Sequence, residues 1–185
     1  MVDLGHDEVR SWRYDVVTST FGPCKVVFRA ASGMGPRHLV FHPNGRWAYL
    51  VTERANMLIP LRRDIDGTLT RFNRSVSTLP KGFSGKAYAS HIQVSPDGAT
   101  LYASNRGPQT IGVFRIDADG KVHAIQQMPC GGDWPRSFLL LADHLVVANQ
   151  RSDELVAFDV LKDGTLGATS ASLRIPKPVS VIAVE

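Results

Sequence analysis

The sequence predicts an all-β chain made of repeated four-stranded sheets, and three observations carry that reading. Its apolar stretches are short: "WAYLVTE", "TLYASN", "TIGVFRID", "HLVVANQ" and "ELVAFDV" read with a period of two, and nothing resembles a long amphipathic helix. Two glycine turns alternate along the chain, "PNG" or "PDG" and then "DIDGTLT", "DADGKVH" or "LKDGTLG". The strands also recur as units.

Residues 42–54, "HPNGRWAYLVTER", align with 95–107, "SPDGATLYASNRG", so that Pro43 falls on Pro96, Gly45 on Gly98 and Tyr49 on Tyr102, an offset of 53. Residues 103–117 align with 147–161 at an offset of 44, placing Asn105 on Asn149 and Phe114 on Phe158. The start joins in: within 3–15, residues 4–15 lie over 53–64 at an offset of 49. Four strands in such a period describe a β-propeller blade, with the Pro-Asn-Gly type of turn joining its first two strands and the Asp-Gly type its last two. A flat two-sheet sandwich is the alternative, and the regular alternation of turns argues against it.

In order, residues 2–30 supply the outer half of a blade, 31–80, 81–129 and 130–175 one blade each, and 176–185 the start of the next. That is about three and a half blades. Propellers close with about four to eight, and an open arc exposes apolar blade faces. The expectation is therefore a part of a larger propeller. The third blade departs from the pattern, since "LLLADHLVV" lacks the Pro-Asp-Gly turn, so a tight or distorted hairpin is expected there.

With 185 residues, 43% hydrophobic and 21% charged, the chain has a globular composition. No apolar run approaches the ~20 residues that cross a bilayer, and "MVDLGHDEVRSW" lacks the flank and apolar stretch of a secretory signal, so the expected location is cytoplasmic. Cys24 and Cys130 sit in no CxxC pair and near no histidine at metal-ligand spacing, which reads as two reduced structural thiols. Neither a metal nor a cofactor is expected. The net charge of +4 suits an anionic partner. Arg62, Arg63, Arg71 and Arg74 straddle a turn and read as a solvated outer face. Without a helix-turn-helix, zinc finger or RNA-binding strand motif, neither nucleic acid nor membrane is an expected partner.

In a propeller blade the first strand starts at one face of the disc and the second returns to it. Residues at those two points therefore share the mouth of the central channel. Arg37 and His38 open one hairpin and Glu53 closes it; Ser90 and His91 open the next and Arg106 closes it; Arg136 opens the third and Gln150 closes it. Carboxylate, imidazole and guanidinium recur in a slot where a merely solubilising rim would favour lysine. Pro or Gly flanks several of them, in "GPRH", "WPR" and "NRG", and fixes how the backbone presents them. His42 reads as a turn residue, and His6, His123 and His144 as exposed. The irregular stretch 77–91 reads as a loop leaning over the channel mouth; no helix follows its "GFSG" to make a phosphate cradle.

"GPRHLVFHPNGRWAYLVTE", "VSPDGATLYASNRG", "CGGDWPRSF" and "VVANQRSDELVAFDV", in that order, resemble the seven-bladed propeller lactonase family. That family includes the propeller-type 6-phosphogluconolactonases and the 3-carboxy-cis,cis-muconate lactonising enzyme. The resemblance implies three further blades and an "HPH"-type segment with no counterpart here. It also implies hydrolysis of a sugar δ-lactone such as 6-phosphogluconolactone, a small anionic substrate. On that reading the catalytic residues are Glu53, or His38 oriented by Glu53, as the base on water, and Arg37, which serves the oxyanion or holds Glu53. His91, Arg106 and Arg136 bind substrate, the two arginines gripping its anionic group. Cycloisomerisation of a carboxymuconate fits the same pocket. A non-catalytic scaffold is a third possibility, although the recurrent "GH" and "WD" dipeptides of such propellers are missing.

Overall fold

The computed structural model describes residues 1–184. Eighteen strands run in order: β1 (Val2–Asp3), β2 (Glu8–Ser11), β3 (Tyr14–Asp15), β4 (Thr20–Phe21), β5 (Lys25–Arg29), β6 (Pro36–Phe41), β7 (Trp47–Thr52), β8 (Met57–Arg63), β9 (Leu69–Arg71), β10 (Val76–Ser77), β11 (Tyr88–Val94), β12 (Thr100–Arg106), β13 (Thr110–Ile116), β14 (Val122–Pro129), β15 (Pro135–Leu140), β16 (His144–Asn149), β17 (Glu154–Val160) and β18 (Leu166–Arg174). All pairings are antiparallel, and in the second and third blades they join chain neighbours through tight turns. The second blade is β11-β12-β13-β14 and the third is β15-β16-β17-β18. The first blade is β6-β7-β8 with a broken outer strand, because β9 and β10 both pair with β8.

Three details differ from the expectation. The N-terminal sheet has three strands, β1-β2-β5, because Val2 and Asp3 form the end of a second strand before the outer pair. Between β2 and β5 the chain detours through a separate small hairpin, β3-β4, in place of an Asp-Gly turn. Residues 176–184, expected to start a further blade, form no strand.

Packing follows from the two-residue period. In β7, Ala48 and Leu50 point to the N-terminal sheet and join Val9, Val27 and Ile59. Tyr49 and Val51 point the other way, to Ala89, Ile92, Leu101 and Phe114 of the second blade. In β12, Leu101 and Ala103 face the first blade, whereas Tyr102 faces Phe138, Leu145 and Val147 of the third. Central strands are thus buried on both faces and read as nearly continuous apolar runs.

The repeated tyrosine carries a second link. Tyr49 Oη donates to the Gly120 carbonyl at 3.1 Å, and Tyr102 Oη to the Gly164 carbonyl at 2.7 Å. Both acceptors are Asp-Gly turn residues of the next blade, at φ +79° and +81°. Each blade is thereby fastened to the outer turn of its successor. The third blade's inner hairpin is tight: Leu141 N–H bonds to the His144 carbonyl at 2.7 Å across two residues.

Candidate active site

All three inner strands carry a register irregularity at the same level. It falls between Pro36 and His38 in β6, between Ala89 and Ile92 in β11, and between Pro135 and Ser137 in β15. A bulge leaves a residue without a ladder partner and re-aims its side chain. The residues so released are Arg37, Ser90 with His91, and Arg136. Side chains satisfy the freed backbone: His91 N–H donates to Ser104 Oγ at 2.9 Å, and Ser90 Oγ donates to the Arg136 carbonyl at 2.6 Å, tying two bulges together across the blade boundary. Arg37, His38, His91 and Arg136 therefore lie within their strands, near the starts, rather than ahead of them.

Glu53 follows β7, where its N–H bonds to the Gly35 carbonyl at 2.7 Å. Its Oε2 accepts from Arg37 Nε at 2.9 Å and lies 3.2 Å from Arg106 Nη2. Arg106 is only 5% exposed. Its Nε donates to the Tyr88 carbonyl at 3.1 Å and its Nη2 to the Ala89 carbonyl at 3.2 Å, while its guanidinium lies 5.3 Å from the Trp134 ring centre. Trp134 also carries Arg151, stacked at 3.4 Å.

Two imidazoles meet beside this ion cluster. His38 Nδ1 lies 3.0 Å from His91 Nδ1, with the rings edge to face at 85°. Arg37 Nη1 lies 3.3 Å from both ring nitrogens of His38, and the His91 ring abuts Phe138 at 4.8 Å. Burial first, then the charges of Arg37, Arg106 and Arg136, pushes His38 down to about 4. Burial, then His38 and Arg37, brings His91 to about 4 as well. Both are neutral at pH 7. Burial and Arg106 lower Arg37 to about 10 against the opposing pull of Glu53, so it stays charged.

All six expected residues, Arg37, His38, Glu53, His91, Arg106 and Arg136, thus gather at one mouth, and their pairing differs from the sequence reading in two respects. His38 is not oriented by Glu53; its partners are Arg37 and His91. Arg106, expected to face a substrate's anionic group, donates to two backbone carbonyls, lies against Glu53 and is nearly sealed from solvent. Arg136, read from the sequence as a second anion binder, makes no side-chain hydrogen bond among the described residues.

A family model described as lactonase, 7-bladed beta-propeller, matches residues 1–183. The chain belongs to the seven-bladed β-propeller lactonase family. A 6-phosphogluconolactonase of Bacillus subtilis (strain 168) is 32% identical over 185 residues, covering 97% of this chain and 52% of that protein. Among solved structures, the periplasmic gluconolactonase PpgL of Pseudomonas aeruginosa aligns with a TM-score of 0.86 at 31% identity, over 95% of this chain and 50% of that one. A protein from Lactobacillus plantarum gives 0.88 at 33%, over 97% and 53%. The chain spans about half the length of the curated relatives it matches.

Tyr88, Trp134 and Arg151 of this lactonase-family site escaped the sequence reading. Trp134 adopts φ +66°, a backbone state that bulky residues rarely occupy. Its N–H is held by Gln109 Oε1 at 3.0 Å. The proline after it gave no signal of this, since a following proline favours extended backbone at negative φ. The irregular stretch also differs: 88–91 belong to β11, and Leu79–Phe83 line a groove with Ala124–Gln127 of the outer strand β14. The remaining expectations for single residues fare mostly well. Arg62, Arg63, Arg71 and Arg74 are exposed, as are His6 and His123, whereas His144 is half-buried in β16. His42 sits in its turn and also reaches across to the Gly98 carbonyl at 3.0 Å. Both cysteines are free, Cys24 exposed and Cys130 buried. No cluster of three or more metal-ligating side chains occurs among the described residues.

Proposed function

We propose that the protein hydrolyses a sugar-derived lactone, 6-phosphogluconolactone to 6-phosphogluconate, with Glu53 as general base. The observation that carries this reading is the Glu53 carboxylate, whose Oε2 is pinned by Arg37 and Arg106. Its Oε1 has no partner among the described residues, in a site otherwise filled with guanidinium and neutral imidazole donors. A pinned carboxylate with one free oxygen is a positioned proton acceptor. Its neighbours would stabilise negative charge on the substrate.

In the proposed reaction a water oxygen bonds to the lactone carbonyl carbon as Glu53 takes its proton, and the carbonyl electron pair moves onto oxygen. The tetrahedral intermediate collapses by breaking the ring carbon–oxygen bond. Glu53 returns the proton to the departing ring oxygen, leaving a hydroxy acid. Arg136 grips the phosphate, and Arg37 and Arg106 hold the base. The names of the relatives, 6-phosphogluconolactonase and gluconolactonase, support the substrate class.

The test compares hydrolysis of 6-phosphoglucono-δ-lactone and glucono-δ-lactone with consumption of 3-carboxy-cis,cis-muconate. Faster opening of the phosphorylated lactone is expected. Consumption of the muconate with neither lactone opened would replace hydrolysis by cycloisomerisation. A melting temperature unmoved by 6-phosphogluconate, with none of the three consumed, would remove the enzyme reading and leave a scaffold.

A further inference from the structure

The histidine pair permits a stricter reading than burial alone, because its hydrogen atoms can be counted. The 3.0 Å contact between the two Nδ1 atoms requires one proton between them. Arg37 can only donate, and its Nη1 faces His38. If the shared proton sits on His91, Arg37 and His91 compete for the single lone pair of His38 Nδ1. His38 Nε2 is then protonated and offers Arg37 no lone pair. If the proton sits on His38 Nδ1, every group has a match: Arg37 donates to His38 Nε2, and His38 Nδ1–H donates to His91 Nδ1. The surrounding charges favour no extra proton, since Arg37, Arg106 and Arg136 face the pair and Glu53 is turned to two of those arginines.

This second arrangement uses every lone pair, so neither ring can accept a proton from water. It leaves a single hydrogen atom of the pair without a partner among the described residues, on His91 Nε2. The ring that carries it is braced by Phe138 and by the Ser104 contact to its backbone. We infer that His91 Nε2–H is the hydrogen-bond donor to the carbonyl oxygen of the bound lactone, and that His38 is the positioning residue that locks His91 in this tautomer. A neutral imidazole serves this purpose without surrendering its proton. The donor role rests on the lactonase reading; the tautomers do not.

Long-range proton–nitrogen NMR spectra of the imidazoles test the tautomers without substrate. His38 is expected as the Nδ1–H form and His91 as the Nε2–H form, unchanged from pH 6 to pH 8. Nε2–H on His38, or a charged ring on either residue, overturns the pairing whatever the activity. For the donor role, His91→Phe is expected to lower kcat about 100-fold with KM little changed, the usual loss of one oxyanion donor. His91→Gln, which keeps an N–H near the same point, is expected to recover part of it. His38→Asn, which can still donate to His91 Nδ1, keeps the His91 tautomer and most of kcat, whereas His38→Leu loses both. Expected tautomers with an unchanged kcat in His91→Phe overturn the donor role alone. If the wild type opens no lactone, the lactonase reading falls and the donor role with it, while the spectra still judge the tautomers.

Discussion

Arg37 Nε donates to Glu53 Oε2 at 2.9 Å although 16 residues separate them. The bond is a product of strand geometry. A bulge turns Arg37 out of the β6 ladder at the level where β7 ends, and the Glu53 N–H bond to the Gly35 carbonyl fixes that end. One hairpin therefore delivers the base and one of the cations that hold it, and the neighbouring hairpin delivers the other, Arg106.

Glu53→Gln keeps the shape of the side chain and removes the proton acceptor. The expected result is a kcat lower by about 100- to 10,000-fold with KM changed little. The loss of stability should be smaller than the ~3–5 kcal/mol typical of breaking a fully buried pair, because the Glu53 side chain is 24% exposed. Steady-state kinetics and urea unfolding of the same preparation separate the two effects.

Arg106 and Arg136 should respond differently to the same truncation. Arg106→Ala removes the side-chain donor to the carbonyls of Tyr88 and Ala89 and leaves Glu53 half-held, so a destabilisation of about 2–4 kcal/mol is expected in urea. Arg136→Ala gives up no side-chain hydrogen bond of the described residues and should leave the unfolding midpoint nearly unchanged. Its effect belongs to binding: KM for the phosphorylated lactone rises by roughly 10- to 100-fold, and KM for the unphosphorylated one does not.

Tyr102→Phe removes one hydroxyl from the junction of the second and third blades and leaves the Gly164 carbonyl without its donor. The expected cost is about 1–2 kcal/mol of stability with unchanged turnover, since the bond lies at the outer turns. Calorimetric unfolding beside an activity assay checks both halves.

Gly107→Ala tests the turn that presents Arg106. Gly107 sits at φ +108°, and a methyl group there would lie 2.2 Å from the Lys86 carbonyl oxygen. The obstacle is backbone and cannot rotate away. Left-handed strain and overpacking together are expected to cost about 2–4 kcal/mol, with the Arg106–Glu53 contact disturbed as well. Activity should fall with stability in this variant, unlike in Tyr102→Phe.

The turns made the fold legible: Gly45, Gly98, Gly120 and Gly164 mark hairpins whose positions follow from positive φ alone. The six mouth residues were legible because strand direction fixes which hairpin ends share a face. Who pairs with whom was not, because a bulge shifts a side chain by one residue and no sequence pattern marks it. That shift is why His38 meets His91 rather than Glu53. Trp134 and Arg151 stayed hidden for a related reason, since their contact depends on an unusual backbone angle rather than on spacing.

The histidine pair also sets a pH dependence whose sign is fixed. Both imidazoles are pushed down from 6.5 to about 4 in the folded state, first by burial, then by Arg37, Arg106 and Arg136 at His38 and by His38 and Arg37 at His91. Between those values the unfolded chain binds more protons than the folded one, so stability rises with pH across the window and is level above it. Acidification from about pH 6.5 to pH 5 should therefore lower the melting temperature. Carboxylates titrate mainly below that window, at about 4, so they do not account for the fall. The His38→Asn, His91→Gln double variant should show a flatter profile over the same range, since both depressed imidazoles are gone. A wild-type melting temperature that stays level from pH 6.5 to pH 5 would show that the imidazoles are not held neutral by their surroundings.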